Sequence, residues 1–189
     1  WLRKGGTPAL LARIADLPLE EVEATLDQIR DLSFVKRRPE DDRFFLHDEM
    51  YQILSRYNLD KVADWERERV YQTTRAFYKQ RIKDARQEIA DLYPSPEDQL
   101  PDPLEVAEAR ARLEDALVED LHYHLLWDPV EGFQTYFLYA EEAIATHDEN
   151  LDMQLRAELL TFLAEQDPSG EKEIIAEDLR RAELVADAA

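Results

Sequence analysis

The longest regular feature in the sequence is an apolar repeat over residues 70–92. Val70, Thr74, Phe77, Tyr78, Ile82, Ala85, Ile89 and Leu92 follow a period of about 3.6 residues, with no Gly or Pro between them. Such a run cannot alternate faces as a strand does, so it commits this part of the chain to a helix of more than seven turns from about Trp65. Tyr93-Pro94-Ser95-Pro96 stops it, and Pro101 and Pro103 extend the break, so residues 94–103 are predicted to form a loop. Further amphipathic runs follow. One spans about Leu104 to Trp127, with Ala109, Leu113, Leu117, Leu121 and Leu125. The next goes from Asp128-Pro129 to about Thr146, with Val130, Phe133, Phe137, Ala140 and Ile144. A third covers Leu151 to Ala164, with Leu155, Leu159 and Phe162, and a last one covers Glu171 to about Ala186. Four-residue turns at 147–150 and 167–170 make these helices antiparallel hairpins, the unit of an α-solenoid.

The N-terminal third has a different rhythm. Thr7-Pro8 is an N-cap followed by Pro at the first helical position, opening a short helix to about Ala15. Asp16-Leu17-Pro18 breaks it, and a second helix from Leu19 to Leu32 places Val22, Leu26, Ile29 and Leu32 on one side. Residues 34–38 and 43–47 are β-prone and flank the turn Pro39-Glu40-Asp41-Asp42, which predicts a hairpin. Asp48 is then expected to cap a helix with Met50, Ile53, Leu54 and Tyr57 on its apolar side. Helix, turn, helix, hairpin, helix is the order of a winged helix whose usual first helix would precede Thr7. The expected fold is therefore mainly α: a partial winged helix (1–59), a helical connector with the Pro-rich loop (60–103), and a solenoid-like array of helical hairpins (104–189).

Composition excludes several kinds of chemistry. With 4 Gly there is no GxxxxGK[ST] and no GxGxxG, and with 0 Cys there is no disulfide, thiolate metal site or cysteine nucleophile. No apolar run approaches the ~18 residues of a membrane span, and no secretory signal is visible. The chain opens on Trp1 rather than Met, as a processed product or a segment of a longer protein would, and the second origin is the one expected. Residues 1–93 are nearly neutral, whereas 94–189 hold 6 basic and 25 acidic residues of a chain whose net charge is −20. An acidic half repels nucleic acid and anionic membranes, and it suits helices with solvated outer faces.

Phe45-Leu46-His47-Asp48-Glu49-Met50, taken with Leu10 to Ala15 and the Val22…Leu26…Ile29…Phe34-Val35 pattern, resembles the winged-helix segment of the signal-transduction ATPases with numerous domains, the STAND class, including its NB-ARC branch. The resemblance covers about residues 7–57. In that class a Met-His-Asp motif closes the winged helix; here Leu46-His47-Asp48 stands in its place, a departure at the first position. The resemblance implies that His47 touches the β-phosphate of ADP in the resting state, with Leu46 and Asp48 supporting the motif. It also implies that the phosphate loop, magnesium-binding carboxylates and sensor Arg lie in an upstream nucleotide-binding domain of the same parent chain. The 189 residues would then hold no cofactor and hydrolyse no ATP by themselves, while ADP or ATP with magnesium would bind in a cytoplasmic parent. The helical array would sense an unknown protein or ligand. Its paired helices are similar to tetratricopeptide-type hairpins, although the Gly and closing Pro of that consensus are absent.

Other features are open to two readings. A DNA-reading winged helix would use Leu19–Leu32 for recognition, yet that helix carries Glu20, Glu21, Glu23, Asp27 and Asp31 against Arg30 alone. The wing offers Lys36, Arg37, Arg38 and Arg43, nearly cancelled by Glu40, Asp41 and Asp42. Specific DNA is thus not the expected partner, since a duplex presents one phosphate charge per ~1.7 Å. The alternative function is nevertheless a transcription regulator with a helical effector or dimerisation domain. Arg75, Lys79, Lys83 and Arg86 form a basic stripe that either binds an anionic partner or is a solvated face, or one docked on the acidic half of this chain. His122 and His124 lie ~200° apart on a helix and cannot share one ion. Asp120 and His124 could, but two ligands make no structural site, so a helix-surface pair is expected and no metal. Trp127, Phe133, Tyr136, Phe137 and Tyr139 form either a core or a concave recognition surface.

Overall fold

The computed structural model describes residues 2, 4–38, 42–57, 61–93 and 101–166. Among them are seven helices and one two-stranded antiparallel sheet: α1 (Pro8–Ala15), α2 (Leu19–Ile29), β1 (Val35–Arg38), β2 (Arg43–Leu46), α3 (Asp48–Tyr57), α4 (Asp64–Asp91), α5 (Pro103–Trp127), α6 (Pro129–Thr146) and α7 (Glu149–Gln166). The fold is mainly α with a single hairpin, as the periodicities predict. No helix among the described residues is long and apolar enough to cross a membrane. Most of the expected loop (94–100), the turn residues 39–41 and the expected last helix (171–186) lie outside the described residues.

The chain divides into two units, Trp1–Phe77 and Tyr78–Ala189, and the division falls within α4. The first half of α4 belongs with α1: Arg69 donates to the Ile14 carbonyl (2.9 Å), and the Arg13 guanidinium lies 5.3 Å from the Phe77 ring centre. Its second half belongs with α5, through Glu88–Arg112 (2.5 Å) and the Tyr78–Tyr123 stack (5.5 Å between ring centres).

In the first unit the Thr7 hydroxyl accepts from Leu10 N–H (3.3 Å) with Pro8 at the first helical position, and Asp16 in left-handed backbone (φ 57°) ends α1. Ala12 packs with Val22 and Leu26 of α2, and Leu11, Ile29 and Phe44 lean on them. Leu32 is not part of this face. α2 stops at Ile29, Leu32 N–H turns back to the Ile29 carbonyl (3.0 Å), and the side chain is exposed. The hairpin register is Val35↔Leu46, Lys36↔Phe45, Arg37↔Phe44 and Arg38↔Arg43, so Phe34 and His47 fall just outside the strands. Gly6 and Phe44 exchange a pair of backbone bonds (2.9 and 3.0 Å) on the other edge of β2. Gly5 makes that approach possible: its φ is 82°, and a Cβ there would sit 2.6 Å from the Phe44 carbonyl oxygen. On α3 the half-buried side chains are Met50, Tyr51 and Leu54, whereas Ile53 and Tyr57, expected on the apolar side, are exposed. The face that packs is the one continuing from His47 in steps of three and four, because the hairpin end sets the rotation of the helix.

In the second unit α5 packs against both α6 and α7, which also pack on each other. Leu117, Leu121 and Leu125 of α5 and Leu155 and Leu159 of α7 are fully buried, each such leucine contributing roughly 1.5–3 kcal/mol. Asp128 alone joins α5 to α6. It ends the first helix and caps the second, its Oδ1 accepting from Val130 and Glu131 N–H (3.0 and 3.1 Å) ahead of Pro129. His147 (φ 54°) and Asp148 make the tight turn into α7. The buried face of α6 matches the expected one only in part: Ala140 is buried and Phe133 packs against the core. Gly132, Tyr136, Tyr139, Ala140 and Ala143 turn inward, while Val130, Phe137 and Ile144 are exposed. Gly132 explains the choice, since a Cβ there would lie 2.7 Å from Leu125 Cα. The two backbones touch at that point, and only the Gly/Ala side of α6 allows it.

Candidate functional site

Leu46-His47-Asp48 lies where β2 becomes α3. Leu46 is the last strand residue, opposite Val35. His47 N–H donates to the Phe34 carbonyl (2.8 Å), extending the hairpin by one bond, and the His47 carbonyl accepts from Tyr51 N–H (2.9 Å), the first bond of the helix. His47 therefore occupies the N-cap position expected for Asp48. Asp48 and Glu49 fall in the first turn, where their charge meets the positive helix end. The His47 imidazole is half-buried with Nδ1 facing the Glu49 carboxylate. Glu49's carboxyl is held below its ordinary range mainly by a hydrogen bond from its own backbone N–H; burial pulls the other way, and His47 and then Lys36 add smaller downward pulls. When Nδ1–H is directed at Glu49, Nε2 of the neutral ring is only an acceptor. A contact from Nε2 to an anion then needs the doubly protonated ring, which donates a charge-assisted bond. Leu46 and Asp48 also border an apolar cavity of about 550 Å3 within this unit, walled by Leu11, Ile14, Leu26 and Phe44 among others.

The basic stripe is not uniform. Arg75 is half-buried, Lys79 and Lys83 are exposed, and Arg86 is paired with Glu142 of α6 (2.5 Å). One end of the stripe thus docks on the acidic half of the chain. Of the wing's basic residues, Arg43 is buried and Arg37 is tied to Asp42 (2.7 Å), while the acidic side chains of α2 stand in solvent.

The pair expected on a helix surface is instead buried. All residues from Glu119 to Leu125 are shielded, so one stretch of α5 is covered on every side. Each polar side chain there reaches a neighbouring helix. Glu119 accepts from Tyr78 Oη (3.3 Å), Asp120 from Tyr139 Oη (2.6 Å), His122 Nδ1 meets Glu158 Oε1 (2.6 Å), and His124 Nδ1 meets Thr135 Oγ1 (2.7 Å). His124 Nε2 also lies 3.8 Å from Asp120. No group of three ligands suited to a metal ion occurs among the described residues. The contacts fix the rotation of α5 against its neighbours. Of the aromatic group, Tyr136 and Tyr139 enter this core, and Phe137 does not. The spacing of Asp120 and His124, each one residue before Leu121 and Leu125 of the apolar spine, was the available signal for this cluster.

Burial first, and then the Asp120 carboxylate, push the Tyr139 phenol well above its ordinary value. The unfolded phenol ionises near pH ~10 while the folded one stays neutral, so its contribution is full below ~10 and is lost as pH rises above it. Urea midpoints measured from about pH 8 to about pH 11 are expected to fall more steeply for the parent sequence than for Tyr139→Phe. Parallel slopes would show that Tyr139 carries none of this linkage.

No family model, curated protein or solved structure matches this chain.

Proposed function

We propose that the chain is a regulatory segment of a nucleotide-switched signalling ATPase. The N-terminal unit acts as a winged helix that latches the ADP-bound state of an upstream nucleotide-binding domain. The α5–α7 hairpins begin an array that couples sensing of a protein or ligand to release of the latch. The position of His47 carries this reading: it sits at the turn from hairpin to helix, with its carbonyl committed to the helix and its ring half-buried beside Glu49. A latch of this kind works only if the contact exists in one state and not the other. ADP or ATP, magnesium and the hydrolytic groups belong to the parent's nucleotide domain, and the reading places the protein in the cytoplasm.

The isolated chain then binds no nucleotide measurably. One hydrogen bond from His47 is worth ~1.5–3 kcal/mol even to a charged group, against the ~8 kcal/mol of micromolar affinity. Calorimetry with ADP is expected to give no binding heat. Titration with duplex DNA at physiological salt is expected to give only weak binding without sequence preference. Micromolar ADP affinity would mean that the chain holds a nucleotide site of its own. Nanomolar, sequence-selective DNA binding would replace the latch with a transcription regulator.

A further inference from the structure

The elements of the first unit border a space that their own side chains leave unfilled. The apolar cavity of about 550 Å3 is bounded by both strands, by α1, α2, α3 and α4, and by the segments just before α1 and α4. Leu11, Ile14, Ile29, Phe44, Phe45 and Leu46 line it, and each is only half-buried. A packed interior leaves few voids larger than a water molecule, so large apolar side chains around such a space are arranged for a guest. The volume falls within the ~300–1,000 Å3 of small-molecule pockets. We propose that this cavity binds a small cationic amphiphile, an amine carried on an alkyl or aromatic body. The site stands independently of the latch, since it needs neither a nucleotide nor another domain.

The polar groups of the cavity decide the head group. They come from two helices: Asp48 and Tyr51 of α3, and Glu66 and Arg69 of α4. Arg69 spends a guanidinium N–H on the Ile14 carbonyl (2.9 Å), which ties α4 to α1. Asp48 and Glu66 have no ion-pair partner among the described residues, although both line the same cavity. Ionised carboxylates only accept hydrogen bonds, so the wall offers acceptors and negative charge to a donor. An ammonium group supplies donors and the opposite charge, in the charge-assisted bond that is the strong kind. An anionic head would meet two like charges against one guanidinium already engaged. The apolar walls then take the body of the ligand, as in pockets where a few polar groups fix orientation.

Methyl NMR on the full chain, titrated with octylamine, 1-octanol and octanoate below their micelle concentrations, tests the proposal. The three probes have similar alkyl bodies and differ in the head group. Octylamine is expected to show nuclear Overhauser contacts to the methyls of Leu11, Ile14 and Ile29, which need no variant to read. It should bind about ten-fold tighter than octanoate, as one charge-assisted bond allows. Asp48→Asn with Glu66→Gln should remove that preference and leave 1-octanol binding unchanged. Ala15→Phe, at an exposed position on the cavity wall, should abolish binding of all three probes while circular dichroism shows the helices intact. Absence of contacts from every probe would overturn the proposal, as would octanoate binding more tightly than octylamine or a preference that survives the loss of both carboxylates. Octylamine binding that survives Ala15→Phe would place the amine on the acidic half of the chain and overturn it too. So would contacts from these methyls, before any probe is added, to another part of the chain or to a second copy, since protein would then fill the cavity.

Discussion

His122→Ala is expected to lower the stability of the α5–α7 bundle by about 3–5 kcal/mol, a large part of what a domain of this size possesses. The substitution removes the imidazole from Glu158, a carboxylate whose side chain is only 10% exposed and which meets His122 Nδ1 at 2.6 Å. The carboxylate keeps its shielded place without the imidazole, and the contraction to a methyl leaves a void beside Tyr123, whose ring packs edge-on against the imidazole at 5.0 Å. Replacing both partners with apolar side chains of similar volume, His122→Leu with Glu158→Met, should recover most of the loss, because the pair contributes through being matched rather than through being charged. Urea unfolding followed by circular dichroism gives both numbers. A single-variant loss below about 1 kcal/mol would mean that water or another group already satisfies Glu158.

The contrast between α5 and α6 shows how far sequence reasoning reached. On α5 the Leu117, Leu121, Leu125 spine was legible, since a 3.6 period in leucines has one meaning. On α6 the expected Phe133 and Ala140 do pack on the core, but Val130, Phe137 and Ile144 point outward. Hydropathy ranks Phe137 and Ile144 above Tyr139 and Ala143, but the inward face was selected by the backbone contact at Gly132 and by a carboxylate on α5 waiting for a phenol. Neither is visible in a single helix. The same blindness made Asp120, His122 and His124 look like surface residues: a pattern shows which side of a helix is apolar, not how many helices surround it. In the first unit the hairpin was legible in two β-prone runs flanking a turn sequence. The exposure of Ile53 and Tyr57 did not, because the rotation of α3 is set by the His47 hydrogen bonds at its start. The candidate site itself was legible as a tripeptide. Its division of labour was not: His47 caps the helix with its carbonyl, and Glu49 engages the ring.

That division would give the proposed latch a physical form. With Nδ1 held by Glu49, the ring would use Nε2 of its doubly protonated form to donate one charge-assisted bond to a phosphate. Such a bond is worth ~1.5–3 kcal/mol, which in a two-state switch is a ten- to 150-fold change in the ratio of closed to open molecules. His47→Ala keeps the backbone bonds to Phe34 and Tyr51, so hairpin and helix remain joined and the effect is confined to the ring.

The direct measurement for the proposed latch is the rate at which ADP leaves the full-length parent protein that this reading implies, with and without His47→Ala, read together with signalling output. The latch predicts release faster by roughly ten- to 150-fold and a shift toward the open, active form. Unchanged release and unchanged output would contradict it and leave His47 as the residue that ends a hairpin and starts a helix.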